Sequence, residues 1–244
     1  MPALSFIRER AMFRKSAHLY DAVYEFMDYP GQAEKLRGLI DQRHPRARSL
    51  LDVACGTGLH LGLLREHFDR VEGLDLDPGM LEIARERLPG VALHEGNMTN
   101  FRLDSTFDVV TCLFSSIGYA GTVAKLGKAV GCMASHVDPG GLVFVAPWIF
   151  PENWIDGYVG MDIVDEPERK VARLNRSVRD GRQTTLQFQY LVVTPAGFEH
   201  LEEEHLAYMF TKDEYESAFE AAGLEVEFDP DGLIGRGMFI GTKR

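Results

Sequence analysis

Two acids and two glycines carry the first chemical signal in the chain. Asp52 interrupts the apolar run Leu50-Leu51-Asp52-Val53-Ala54, and Cys55-Gly56-Thr57-Gly58 turns the backbone directly after it. Glycine at such a turn brings a ligand against bare backbone, where a side chain would intrude. A second acid, Asp75, falls close to the ~20-residue spacing at which a ribose-binding carboxylate ends a second strand. A dinucleotide fingerprint G-x-G-x-x-G would need glycine where Leu61 stands, and the next glycine is Gly62. An acid beside a bare G-x-G turn suits a positively charged ligand better than a pyrophosphate.

These residues need a βαβ scaffold, and the pattern supplies one. Residues 50–54 read as a buried parallel strand, 59–68 as a helix through Leu59, Leu63 and Leu64, and 71–76 as a second strand. Asp77-Pro78-Gly79-Met80 opens a helix that ends at Pro89-Gly90, with an acid at its N-cap and proline at its first position. A third strand at 91–94 leads into Glu95-Gly96-Asn97-Met98. The fourth strand, 107–114, releases Ser115-Ser116-Ile117-Gly118-Tyr119 at its carboxyl end, where open α/β sheets meet their ligands. A helix over 122–136, a turn at 138–141 and a fifth strand at 142–146 complete a doubly wound α/β core.

Ahead of this core, 13–27 is an amphipathic helix through Ala17, Leu19, Tyr20, Val23, Tyr24 and Met27. Its two tyrosines lie one turn apart and, taken alone, read as packing. Pro30-Gly31 opens a second helix that stops before Pro45. After Ala146 the pattern changes. Residues 147–154 hold both tryptophans and two prolines, and 161–175, 183–194 and 198–210 alternate as strands. They predict an antiparallel insertion of three or four strands over 147–210. Thr211-Lys212-Asp213-Glu214 is a capping box, and 211–244 supplies a closing helix and hairpin around Arg236. In His200-Leu201-Glu202-Glu203-Glu204-His205 the odd spacing puts the histidines on opposite faces of a strand, so a solvated face is expected and a metal is not.

Composition bounds the function. The 244 residues are 45% hydrophobic, enough for one large α/β unit with an insertion, and 26 basic residues face 37 acidic ones for a formal charge of −11. That balance argues against a nucleic-acid partner, since phosphate neutralisation supplies most such affinity. No apolar run is long enough to span a membrane, and Arg8, Glu9, Arg10, Arg14 and Lys15 are too charged for a secretory core. The expected compartment is the cytoplasm. Three cysteines, Cys55, Cys112 and Cys132, have no metal-ligand spacing.

Asp52-Val53-Ala54-Cys55-Gly56-Thr57-Gly58 followed by Gly73-Leu74-Asp75-Leu76 resembles motif I and the acidic loop of class I S-adenosylmethionine (SAM)-dependent methyltransferases. From Leu19 onward the chain is similar, more narrowly, to the amino-sugar N,N-dimethyltransferases that act on TDP-linked deoxysugars. Leu19-Tyr20-Asp21, the segments 49–58, 114–119 and 147–153, Gly157-Tyr158-Val159 and Gly235-Arg236-Gly237 carry this likeness, which includes the insertion.

The resemblance implies a Rossmann-like seven-stranded core over 1–146 with N-terminal lid helices. It implies an insertion that serves as substrate and homodimer platform, and two successive methyl transfers to a sugar amine. It assigns SAM to Asp52, Ala54, Gly56, Gly58, His60, Asp75, Leu76, Met80, Asn97, Met98 and Phe114. Tyr20 and Tyr119 are expected to position the amine, since a phenol with pKa near ~10 is a weak base at neutral pH. Tyr24, Ser116, Trp148, Phe150, Trp154 and Tyr158 would surround the sugar, with Arg236 on the diphosphate. Three departures stand out: Asn97 replaces an acid, Ala146 a glutamate and Ile234 a serine. They keep open a methyltransferase for another small amine or hydroxyl, and more distantly a SAM-binding protein without catalysis.

Overall fold

The computed structural model describes Phe13 and residues 16–244. The charged residues Arg8, Glu9, Arg10, Arg14 and Lys15 lie outside this range. Two short elements come first, α1 (Ala17–Val23) and α2 (Tyr29–Arg43). The core then runs β1 (Ser49–Val53), α3 (Leu59–Leu64), β2 (Arg70–Asp75), α4 (Pro78–Arg87), β3 (Ala92–Glu95), β4 (Phe107–Cys112), α5 (Val123–Ser135) and β5 (Val137–Val145). Four strands follow, β6 (Val159–Asp165), β7 (Lys170–Asp180), β8 (Gln183–Thr194) and β9 (Gly197–Tyr208). The chain ends with α6 (Lys212–Ala221), β10 (Leu224–Asp229) and β11 (Met238–Lys243).

The larger sheet has seven strands in the order β10-β11-β5-β4-β1-β2-β3, parallel except for the pairings of β11. Strand alternation divides its apolar residues between two cores. Leu51, Val53, Val110 and Val143 face α5 and α6, while Leu50, Val109, Leu142 and Phe144 face α2 and α3. The strand order reverses between β1 and β4, and the carboxyl ends there form the crevice where such sheets bind ligands. The second sheet, β6-β7-β8-β9, is wholly antiparallel. Its inner face packs Val164, Val171, Phe188, Tyr190 and Val192 on Leu19 and Val23 of α1. The buried side of α1 therefore belongs to the smaller sheet.

Two details differ from the sequence expectation. The stretch 161–175 is two strands: Glu166 and Arg169 exchange backbone hydrogen bonds and turn the chain at Pro167. A proline inside an alternating run is the sign of such a break. The segment 138–141 is a bulge within β5 instead of a turn before it, since Phe107 pairs with Val137 and Val109 with Leu142.

Candidate active site

The turn after β1 is held in a tight left-handed path, with φ of 60° at Ala54, 56° at Gly56 and 77° at Gly58. Asp75, at the end of β2, braces it. Its Oδ2 accepts from the Gly56 amide and its Oδ1 from the Asp77 amide, both at 2.8 Å. Burial raises the Asp75 pKa, and these amide bonds oppose the rise. Asp52 is 3% exposed and accepts from Thr111 Oγ1 at 2.7 Å. Burial lifts its carboxyl to about 7 against the Thr111 bond, and the charge of Asp75 adds to the rise.

The two glycines do different work. Beyond its two chain neighbours, no atom of the described residues lies within 4 Å of where a Cβ on Gly56 would stand, and that residue lines the cavity. A Cβ on Gly58 would stand 2.7 Å from Leu88 Cδ1. Gly58 is not among the residues lining the cavity, and its missing side chain lets α3 start against the end of α4.

A cavity of about 900 Å³ opens over the crevice. It brings together Asp52, Ala54, Gly56, His60, Asp75, Leu76, Met80, Asn97, Met98 and Phe114 on one side with Tyr20, Ser116 and Tyr119 on the other. Gln183, Leu206, Ala207 and Tyr208 of the smaller sheet reach the same space. His60 is buried, bonds through Nε2 to Gln32 Oε1 at 3.0 Å, and is pushed by burial down to about 4, so it stays neutral. The carbonyl of Asn97 accepts from the Thr99 amide and hydroxyl at 2.9 and 2.8 Å. What Asn97 can offer a ligand is thus its amide N–H pair, the reverse of a carboxylate.

Tyr20 and Tyr119 are both un-ionised near neutral pH. Burial raises Tyr20 well above the ordinary phenol value, with Tyr24 adding, and burial likewise raises Tyr119. Tyr24 itself does not line the cavity but packs on Tyr20 and Phe114, with ring centroids 4.7 and 5.4 Å away.

The aromatic residues after β5 are placed differently from the expected sugar wall. Phe150 is buried in the core among Tyr215, Phe228 and Phe239, because α6 and the closing hairpin leave an apolar socket there. Trp148 packs on Gly118, where a Cβ would come within 2.9 Å, and Arg236 lies 5.5 Å over its ring. Trp154 donates to Asp156 Oδ1 at 2.8 Å, and Tyr158 is half exposed. None of these, nor Arg236, lines the cavity.

Three residues to which the sequence reading gave no role in binding or catalysis lie at or beside the site. The Tyr29 hydroxyl is buried beside the cavity without a hydrogen-bond partner among the described residues. Thr57 lines it and donates to Asp21 of α1. His205 is 1% exposed and hydrogen-bonds through Nδ1 with the Tyr119 hydroxyl at 3.2 Å, so its face of β9 is not solvated. Among the described residues no cluster of His, Cys, Asp and Glu could hold a metal.

Known proteins share this arrangement. The methyltransferase domain family matches residues 50–141. The dTDP-3-amino-3,4,6-trideoxy-alpha-D-glucopyranose N,N-dimethyltransferase of Streptomyces venezuelae is 45% identical over 229 residues, covering 93% of this chain and 97% of that one. The dTDP-3-amino-3,6-dideoxy-alpha-D-glucopyranose N,N-dimethyltransferase of Streptomyces fradiae is 47% identical over 228 residues, covering 92% and 89%. The structure of SAM-bound CalS10, an amino pentose methyltransferase from Micromonospora echinaspora involved in calicheamicin biosynthesis, matches with a TM-score of 0.85 at 44% identity, over 97% of this chain and 100% of that one. The chain therefore belongs to the SAM-dependent aminosugar N,N-dimethyltransferases.

Proposed function

We propose that the protein transfers methyl groups from SAM to the amine of a TDP-linked deoxyaminosugar, twice in succession, giving the dimethylamine. The observation that carries this is one continuous cavity joining the acid-and-glycine turn to a wall of un-ionised tyrosines. The chain's own residues fit SAM. The bare face of Gly56 leaves room for it, and Asp52 and Asp75 complement a cation and ribose hydroxyls. The orphaned Tyr29 hydroxyl offers a donor. His60, Leu76, Met80, Met98 and Phe114 would enclose it, and the Asn97 amide would donate to the base. When bound, SAM supplies a methyl group already activated on a sulfonium.

What remains for the protein is alignment of a neutral amine, which can contribute ~7–11 kcal/mol. Tyr20 and Tyr119 hold the amine by hydrogen bonds, since neither phenol ionises near neutral pH. Ser116, Trp148, Trp154, Tyr24 and Tyr158 are proposed for the sugar and the approach to it, and Arg236, stacked on Trp148, for the diphosphate outside the cavity. The enzyme is proposed to act in the cytoplasm, without a metal, as a homodimer through its smaller sheet. No helix among the described residues is long and apolar enough to cross a membrane.

Incubation with methyl-labelled SAM and a panel of TDP-aminosugars, read by mass spectrometry, tests the reading. Two labelled methyls on a sugar amine are expected. Methylation of other small amines or hydroxyls with none on the panel would refute it.

A further inference from the structure

The methyl-transfer reading gives no task to the buried His205, which neighbours Tyr119. His205 sits on β9 between the rings of Phe13 and Phe188, at centroid distances of 4.4 and 5.1 Å. Its Nδ1 lies 3.2 Å from the Tyr119 hydroxyl, and its Nε2 lies 3.6 Å from Glu203 Oε2. The second distance is too long for a hydrogen bond, and Nε2 has no other partner among the described residues. Glu203 is fixed in turn, accepting from the Ser16 amide at 3.1 Å and from the Ser16 hydroxyl. A buried ring nitrogen left unpaired costs stability, and a carboxylate lies just beyond it.

We propose that Tyr119, His205 and Glu203 form a proton relay that takes the proton released at the sugar amine, so that the amine can be methylated a second time. The inference rests on the aminosugar reading above. After the first transfer the nitrogen is a secondary ammonium. Its N–H bond breaks toward Tyr119 Oη, and the bonding electron pair stays on nitrogen. As that O–H bond forms, the hydrogen already on Tyr119 passes to His205 Nδ1. The phenol is neutral before and after, as its raised pKa requires. The net change is a neutral amine and an imidazolium held beside Glu203. When the cavity empties, the proton returns by the same route to solvent.

The surroundings agree with this polarity. Glu203 is the acid nearest the ring. Phe13, Phe188 and Tyr119 pack against it, and Tyr190 neighbours Glu203 and Tyr119. Among the described residues, Arg173 stands with its guanidinium 5.2 Å from the Phe188 ring centroid and is paired with Asp162 at 2.7 Å. A charge on His205 would thus meet a carboxylate first. His205 acts through Tyr119 and is a positioning residue in the resting state.

Nitrogen-15 spectra of the histidine side chains in the ligand-free protein test the ground state. The expected form carries hydrogen on Nε2, with an Nδ1 resonance that moves in Tyr119→Phe. Hydrogen on Nδ1 in the resting protein overturns the relay. In turnover, His205→Gln keeps a hydrogen-bonding group but cannot accept a proton. Its second methylation should fall ~10²-fold at neutral pH, recover as pH approaches the amine's own pKa, and leave monomethyl product accumulating. SAM affinity by calorimetry should stay within about twofold of wild type. A wild-type ratio of mono- to dimethyl product, with a wild-type pH profile, refutes the proposal. If His205→Gln does not fold, the spectra of the wild type and of Tyr119→Phe decide. A wild-type protein that methylates no aminosugar refutes the aminosugar reading and, with it, the relay's role.

Discussion

Thr57 and Asp21 tie the glycine turn to helix α1. Thr57 Oγ1 donates to Asp21 Oδ1 at 2.6 Å, and Arg87 of α4 bonds both Asp21 Oδ2 and the Thr57 carbonyl. Phe13 adds a fourth contact through its amide to Asp77 Oδ2 at 3.0 Å. Helix α1 is thereby clasped over the glycine-turn end of the cavity by Thr57 of that turn and Arg87 of α4. Hydrogen bonds to charged groups are worth ~1.5–3 kcal/mol, and here the partly exposed ion pair contributes toward the lower end. Asp21→Ala should therefore weaken SAM binding about tenfold, mostly through faster release. Calorimetry with stopped-flow dissociation measures both.

The two glycines of the turn should separate cleanly. Gly56→Val fills the space that faces the cavity, so SAM binding should be lost with a modest drop in Tm. Gly58→Val drives a side chain into Leu88, and each position carries the ~1–2 kcal/mol cost of left-handed backbone. Its Tm should fall further than that of Gly56→Val. Calorimetry and thermal melts on both variants decide, and equal losses of Tm would contradict the assignment.

Asp52 predicts a pH dependence of binding. Its carboxyl is held at about 7 by burial, so it ionises across the neutral range. A bound cation favours the ionised form, so SAM affinity should rise with pH through that range, with a proton released on binding below it. Stability moves the opposite way. The folded state binds more protons here than the unfolded chain does between ~4 and ~7, so this group's contribution to stability is lost as pH rises through its folded value. His60, pushed down to about 4, works against that trend, which makes affinity the cleaner readout. Calorimetry in buffers of differing ionisation enthalpy should show proton release in the wild type and none in Asp52→Asn.

The ribose contact is assigned to Asp75. Asp75→Asn keeps the side-chain shape but replaces one acceptor oxygen with a donor and removes the charge. A ~10- to 100-fold loss of SAM affinity is expected, with the far-ultraviolet spectrum unchanged. Unaltered affinity by calorimetry would move the ribose elsewhere.

The outer face of the smaller sheet predicts the oligomer. Met161, Ile163, Leu174 and Leu191 are 65%, 62%, 53% and 46% exposed, and strand register puts Met161 opposite Leu174. A second copy would cover this face. Met161→Glu with Leu174→Glu should convert a dimer into a 27.4 kDa monomer at micromolar concentration, as seen by sedimentation. A monomeric wild type would remove the proposal.

Local signals were legible wherever one stretch of chain settles its own conformation. Asp77-Pro78 begins α4, and the Thr211–Glu214 capping box begins α6 with both reciprocal bonds in place. The acid-and-glycine turn of β1 was visible as a unit because strand, turn and helix are consecutive. Long-range partners were not. Phe150 lies in an irregular aromatic stretch, and nothing local says that Tyr215, Phe228 and Phe239 converge on it. The odd spacing of His200 and His205 fixed their opposite faces correctly, with His200 exposed and bonded to Gln189 at 2.6 Å. Which of those faces met solvent depended on α1 and the Tyr119 turn docking against the other. The shared parity of Glu203, His205 and Ala207 was the available clue.

Helix α1 is shared property. Leu19 and Val23 are buried in the smaller sheet, while Asp21, between them, is fastened to the nucleotide turn of the larger one. Any opening that lets SAM leave must strip α1 from one sheet or carry part of the other along with it. Occupancy of the site should therefore suppress amide hydrogen exchange in β7, a strand that contributes no residue to the cavity lining. By the same linkage, shaving the apolar bed under α1, as in Val171→Ala, should act at a distance as a mutation in cofactor retention.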